Sequence, residues 1–351
     1  MVLLHEFLEE ISQKDGVSGY EKKVGEVIAE KFSPYIDETR ADPLGNLIFY
    51  KKGQGKHSPR LMICAHMDEI GLIVTKVEEQ GFLRFTSLGG FDARTLPGQE
   101  VTIYGRNILP GLIGFKLPHL LTEQEKNRGV KMEDLYLDTG LPAEVVQRLI
   151  PVGSVAAIKR NFMTLRHNSR AGKALDDRAG VVSLWQCAKE LAKFKHEADL
   201  YLVATVQEEV GTRGAVVSTY GISPDVGIAV DVCHGDFPGA LEQEVSSMAQ
   251  GPVVTAGPNI HPAVGERLLQ VAKDYHLPHQ RDVSPGPTGT DARAIQISLE
   301  GIPTGLLSIP LRYMHTSVEL VDLEDVKDTG LLLAYFTAGV DRTFVEGLAC
   351  L

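Results

Sequence analysis

The 351-residue chain reads as an α/β protein that carries a β-rich insert, and two observations predict this. Helical and strand patterns alternate before about residue 70 and again after about residue 165, the texture of a helix-covered sheet. Between them, short β-rich pieces are separated by Gly and Pro, with few long helical patterns. The expected division is an α/β domain made of 1–70 and 165–351, with a small β-rich domain inserted at 71–164.

The first element is an amphipathic helix, with Leu3, Leu4, Phe7, Leu8 and Ile11 at helical spacing and acidic residues between them. It lacks the basic start and long apolar core of a signal peptide. Ser18-x-x-Glu21 has the form of a capping box before a second helix that runs to about Phe32. "NLIFYKK" and "RLMICAHMDEIGLIV" follow as strands, the second strongly apolar until His66. In the insert, "GFLRFTSLG", "EVTIYG", "ILPGLIGF" and "SVAAIKR" are strand-like, and Pro142 to Leu149 reads as a helix with Pro suited to its first turn. Beyond it, "AGVVSLWQCAKELAKF" places Val182, Trp185, Ala188 and Ala192 at helical spacing, and Tyr201–Val206 is a short apolar strand. "DVGIAVDVCHGD" is another strand, "AVGERLLQVAKDYH" a helix, "PTGLLSIPLRYMHT" a strand, and a terminal helix begins near Asp322.

Composition narrows the partners. Lys plus Arg is 35 against 46 for Asp plus Glu, a net charge of −11, so no positive field is available for nucleic acid. No apolar run reaches membrane-spanning length, and no membrane partner is expected. Cys64, Cys187, Cys233 and Cys350 are far apart and form no C-x-x-C pair, which indicates neither a zinc ribbon nor a disulfide framework. A reducing cytoplasm is the simplest setting.

The chemistry gathers at strand ends. In "LVATVQEEVGTRGA" a buried-looking strand stops on Glu208 and Glu209, and two like charges held there need a cation or a shared proton. The plainer alternative is that both have left the sheet and point into solvent. Other strands end alike: His66 and Asp68, then Asp231, then His315. In open parallel α/β sheets the ligand site lies beyond such carboxyl ends. "GKALDDRAG" adds Asp176 and Asp177 just before a helix, where an Asp is most often a cap, yet one of the two is also a candidate bridging carboxylate. Two His with three or four carboxylates and no Cys is the ligand set expected for a pair of divalent ions of the zinc, cobalt or manganese type. Arg170, Lys173 and Arg178 read as ion-pair partners, and Cys233 as a buried small side chain. The other histidines read as structural or exposed, His119 and His234 least securely.

"AHMDEIG", "GGFDARTLPGQEV", "KALDDRAG", "ATVQEEVGTRGA", "AVDVCHGDFPG", "GPTGTDARAIQIS" and "IPLRYMHTSVEL" occur in an order and spacing that resemble the M42 family of dinuclear metallo-aminopeptidases. That family includes glutamyl and deblocking aminopeptidases and the tetrahedral peptidases. The resemblance runs from about Ser18 to Leu333 and implies a mixed sheet sandwiched by helices, of the zinc-exopeptidase type, with the insert as dimerisation domain. It implies that Asp176 bridges two metal ions, zinc or cobalt ahead of manganese, one also held by His66 and Asp231 and the other by Glu209 and His315. Glu208 is then the general base of a metal-assisted hydrolysis, and Asp68 orients His66. In an extended segment, Glu208 and Glu209 would diverge to face water and metal respectively. Thr290 and Asp291 would border the substrate pocket. Short peptides are the implied substrates, and self-association into dimers and dodecamers the implied assembly.

Two rival readings stand beside this one. Some family members are labelled cellulases, and glycosidases use paired carboxylates. Adjacent Glu208 and Glu209 flank a glycosidic bond poorly, however, and Trp185 is the only Trp for sugar stacking. A non-catalytic scaffold of this fold is expected to show substitutions at the ligands or at Glu208, and none is seen. No G-x-S-x-G, P-loop, H-E-x-x-H or G-x-G-x-x-G motif supports another chemistry.

Overall fold

A computed structural model describes residues 3–348, which leaves Cys350 outside the described residues. Its frame is a mixed sheet whose central strands Asp199–Thr205, Arg60–His66, Val226–His234 and Thr304–Arg312 are mutually parallel neighbours in that order. Antiparallel strands complete both sides: Leu47–Lys51 and Glu38–Ala41 beyond the first, Glu319–Asp322 and Ser169–Gly172 beyond the last.

The central strands are apolar through their middle stretches because both faces are covered there. Leu61, Ile63 and Ala65 join one core with helices Leu4–Ser12, Lys22–Phe32, Leu175–Leu191 and Leu323–Ala338. The alternate residues Met62 and Cys64 join another, against helices Arg213–Ile222 and Asp291–Gln296. Strand periodicity thus feeds two helical layers. Trp185 is fully buried in the first, with Phe7 and Tyr35 packed edge-on against it.

The inserted segment closes on itself. Strands Gly71–Val77, Leu83–Leu88, Tyr136–Asp138, Ile108–Gly114, Glu100–Tyr104 and Val155–Ile158 form a closed barrel, in agreement with the small β-rich unit expected there. Its core is separate, made by Leu72, Val74, Phe85, Val101, Ile103 and Leu137 among others, with Val146 of the Ala143–Leu149 helix packed in.

The expected capping box is not formed. Helix Lys22–Phe32 has Glu21 at its N-cap, but Ser18 Oγ donates to Asp68 Oδ2 at 2.6 Å instead of capping. Glu21 Oε1 accepts from the amides of Gly19 at 2.7 Å and Gln207 at 3.2 Å. The Ser18 hydroxyl is turned to donate to the buried Asp68 carboxylate instead of accepting from a main-chain amide of its own helix. Arg170 forms no ion pair among the described residues and donates to the carbonyls of His167 and Ser169, whereas Lys173 and Arg178 are ion-paired as expected. Ala192 stands at the C-cap of its helix and is exposed, not part of the buried stripe expected of it.

Candidate metal centre

The carboxyl ends of the parallel strands open into one cleft of about 1040 Å³, lined by His66, Asp176, Glu208, Glu209, Asp231 and His315 among others. The parallel register explains the convergence. Thr205 pairs level with His66, so the residues after Thr205 emerge beside His66, and Asp231 and the segment after Arg312 emerge on the adjoining strands.

Asp176 stands at the middle. Its Oδ1 lies 3.1 Å from His66 Nε2, and its Oδ2 lies 3.3 Å from His315 Nε2, so each carboxylate oxygen faces a different imidazole. His315 Nε2 is also 3.4 Å from Glu209 Oε2. Single ligand atoms of His66, Asp176 and Asp231 lie within 4.8 Å of one another, and so do those of Asp176, Glu209 and His315. The neighbouring Asp177 does something else: its Oδ1 accepts from the Gly180 amide at 3.0 Å, inside the helix start. Asp177 thus takes the cap reading, and Asp176 is the member of the pair that faces the two imidazoles.

The two glutamates depart from the extended arrangement expected of them. The strand stops at Thr205, Gln207 turns the chain at φ 56, and Glu208 and Glu209 lie in the turn beyond. They have left the sheet but do not face bulk solvent; Glu208 is only 9% exposed. The buried Asp68 gathers the turn, because its Oδ1 accepts the Glu208 amide at 3.0 Å and its Oδ2 the Glu209 amide at 3.3 Å. The same Oδ1 lies 3.4 Å from His66 Nδ1, while the Asp68 carbonyl oxygen is nearer at 3.2 Å. Asp68 therefore braces the glutamate turn through its carboxylate and His66 largely through its main chain.

The charges do not balance without help. Burial, and next to it the charge of Asp176, push the Glu209 carboxyl well above the usual range. Burial likewise raises Glu208 to about 9, against the pull of His66, and Asp231 to about 8. Asp176 resists the same burial because His315 and His66 hydrogen-bond its carboxylate and hold it below the usual range. Carboxylates crowded this closely cannot all ionise unless cations join them. Two imidazole nitrogens beside carboxylate oxygens at one focus are a donor set that borderline ions of the zinc or cobalt type accept, so the residues fit such ions.

The chain matches the family described as M42 glutamyl aminopeptidase over residues 45–332. It belongs to the M42 peptidase family. It is 38% identical over 329 residues to the lysyl aminopeptidase of Pyrococcus furiosus, covering 92% of this chain and 94% of that one. Among solved structures it is similar to aminopeptidase APDkam598 from Desulfurococcus kamchatkensis, with TM-score 0.92, 37% identity and 99% and 98% of the two chains covered. The Pyrococcus horikoshii TET1 peptidase, described as assembling into a tetrahedron or a large octahedral shell, matches with TM-score 0.84, 30% identity and 96% and 100% coverage. A Thermotoga maritima structure titled endoglucanase matches with TM-score 0.78, 29% identity and 97% and 99% coverage. As a member of the M42 aminopeptidases the chain is a hydrolase of the exopeptidase kind.

Thr290 lines the cleft of this M42 enzyme, but Asp291 does not. Asp291 turns inward, where its Oδ2 accepts from Thr205 Oγ1 at 2.6 Å behind the wall of the site. Three contributors were not expected from sequence. Glu319 Oε2 accepts the Asp176 amide at 3.1 Å and its Oε1 the His315 amide at 3.0 Å, so one buried carboxylate fixes the main chain under both residues. Gly89 and Gly90, at the end of a barrel strand, press on the site: a Cβ at Gly90 would lie 2.9 Å from His315 Nδ1, and one at Gly89 3.2 Å from Glu209 Oε2. The sequence signals for them are a Glu four residues after a candidate ligand, and the Gly-Gly pair that opens "GGFDARTLPGQEV".

Proposed function

We propose that this M42 enzyme is a metal-dependent aminopeptidase that removes the N-terminal residue from short peptides. The observation that carries the reading is the placement of Asp176, one oxygen toward His66 and the other toward His315. Asp176 would hold two ions at once, with His66 and Asp231 completing one set of ligands and Glu209 and His315 the other. When bound, such a pair supplies Lewis acidity toward the scissile carbonyl and lowers the pKa of an attacking water.

The remaining work falls to the chain. The Glu208 carboxylate faces the cleft and has no hydrogen-bond partner among the described residues, so it is free to accept a proton from the attacking water. It then returns that proton to the leaving amine, the two-way duty of a general acid/base. Asp68 holds the Glu208 amide and so fixes where that carboxylate stands. Around the cleft, Glu244 and Asp282 outnumber Arg293, which favours cationic over anionic first residues. The insert at 71–164 serves as the dimerisation domain in this reading. Its Ile108–Gly114 strand exposes Ile108 (58%) and Leu112 (55%), apolar residues that a second copy would cover.

The test is a panel of free and N-acetylated aminoacyl anilides plus a soluble β-glucan, assayed on metal-stripped protein before and after adding zinc, cobalt or manganese. Metal-restored cleavage of only the free-amine substrates is expected. Chelator-resistant glucan cleavage with silent peptides would overturn the reading in favour of a glycosidase.

A further inference from the structure

Behind the cleft lies a chain of buried charges that the reaction does not use. Lys173 Nζ donates to Asp15 Oδ1 at 2.7 Å and to both carboxylate oxygens of Glu69 at 2.8 Å. Arg178 Nη2 lies 3.5 Å from Glu69 Oε1, and the Gly16 amide donates to the same oxygen at 2.8 Å. The Lys173 and Glu69 side chains are each 4% exposed and Arg178 is fully buried, so the set is two cations against two anions with little water.

Glu69 directly follows Asp68, which braces the Glu208–Glu209 turn, and Lys173 precedes Asp176 by three residues. The Lys173–Glu69 pair therefore ties the loop carrying Asp68 to the loop carrying Asp176. The far end of the set reaches the inserted barrel: Tyr104, on the Glu100–Tyr104 strand, donates its hydroxyl to Asp15 Oδ2 at 2.6 Å. Lys23 covers the Tyr104 ring at 5.0 Å and holds it in place. The barrel touches the site at a second point, through Gly89 and Gly90 against Glu209 and His315.

We propose that Tyr104, Asp15, Lys173 and Glu69 form a positioning relay that makes the placement of the metal-holding loops depend on where the inserted barrel sits. None of the four touches substrate. The relay rests on the reading of His66 and Asp176 as metal ligands. Within the M42 enzyme it gives the barrel a share in catalysis in addition to any role in assembly.

Tyr104→Phe removes one hydroxyl and no charge, so it tests the relay without leaving a buried ion unpaired. In the metal-loaded enzyme it is expected to lower kcat roughly threefold to tenfold with KM unchanged, and to weaken metal retention against a chelator by a similar factor. Asp15→Asn is expected to cause a loss at least as large, and the double variant no more than Asp15→Asn alone, because both cut one chain. Wild-type kcat and metal retention in Tyr104→Phe, with or without a lower melting temperature, would overturn the relay. So would losses that multiply in the double variant. Metal titration of the wild type separates the two levels: absence of bound divalent ions would bring down the site reading itself, whereas two bound ions with an inert Tyr104→Phe would bring down only the relay.

Discussion

Glu208 and Glu319 are both buried acids, and their surroundings assign them different work. Glu208 has a carboxylate without a hydrogen-bond partner among the described residues and an amide fixed by Asp68, which suits a group that must exchange protons. Glu208→Gln should keep its bound metal and lose turnover by about 10²-fold or more, read as kcat beside metal content by elemental analysis. Retained turnover would remove Glu208 from the base role. Glu319 has both oxygens committed to main-chain amides, those of Asp176 and His315. Glu319→Ala leaves the buried Asp176 N–H and the partly buried His315 N–H without their acceptor, and should weaken metal binding by about 10- to 100-fold while Glu208 stays in place. Competition with a fluorescent chelator measures this. The sequence marked Glu208 because it follows a strand, but the partners that separate its role from that of Glu319 come largely from distant parts of the chain.

At the scale of elements, the site is built where parallel strands stop and where the barrel presses in. The strand ends were legible because an apolar run that breaks on His or a carboxylate marks the point where a buried strand meets a polar site. The barrel's contribution was not, because the Gly-Gly pair in "GGFDARTLPGQEV" is indistinguishable in sequence from an ordinary turn. Gly89 does take φ +81, but Gly90 needs no unusual backbone and is small only because His315 is close. Gly90→Ala should therefore displace the His315 ring, lowering turnover by roughly tenfold with little change in folding stability. Kinetics alongside thermal melts separate these outcomes. The capping box failed for a related reason: the Ser18 hydroxyl is engaged as donor to the distant Asp68 carboxylate rather than as acceptor of an amide in its own helix, and local pattern carries no information on distant competitors.

For the whole molecule, two consequences reach beyond the cleft. Burial raises Glu21 from its ordinary 4.5 to about 7, with the hydrogen bonds it accepts from Gly19 and Gln207 opposing the shift. An acid with a raised folded pKa holds its proton more tightly when folded. Its contribution to stability is complete below 4.5 and is lost as pH rises through about 7. Glu21→Gln keeps Oε1 as acceptor of both amides and removes the titration, so urea unfolding across this window should show a pH dependence smaller by about 3 kcal/mol than wild type. The second consequence concerns assembly. Leu112→Asp places a charge on the exposed apolar strand of the barrel and should reduce the sedimentation coefficient of any oligomer without unfolding the protomer, since Leu112 lies outside the barrel core.

The chain's own pattern determined the α/β class, the β-rich insert between its halves, and a short set of His and carboxylate positions at strand ends. Hydrophobic period and strand-end chemistry are local properties, and a sequence displays them directly. Tertiary structure alone decided that Asp291 faces inward and that Asp68 gathers the Glu208–Glu209 turn. It alone placed Glu319, Gly90 and the Tyr104–Asp15–Lys173–Glu69 chain where they act. The physical reason is the same in each case. Such roles are set by which buried polar group finds which partner, and in a folded chain that choice is made among groups the sequence keeps far apart.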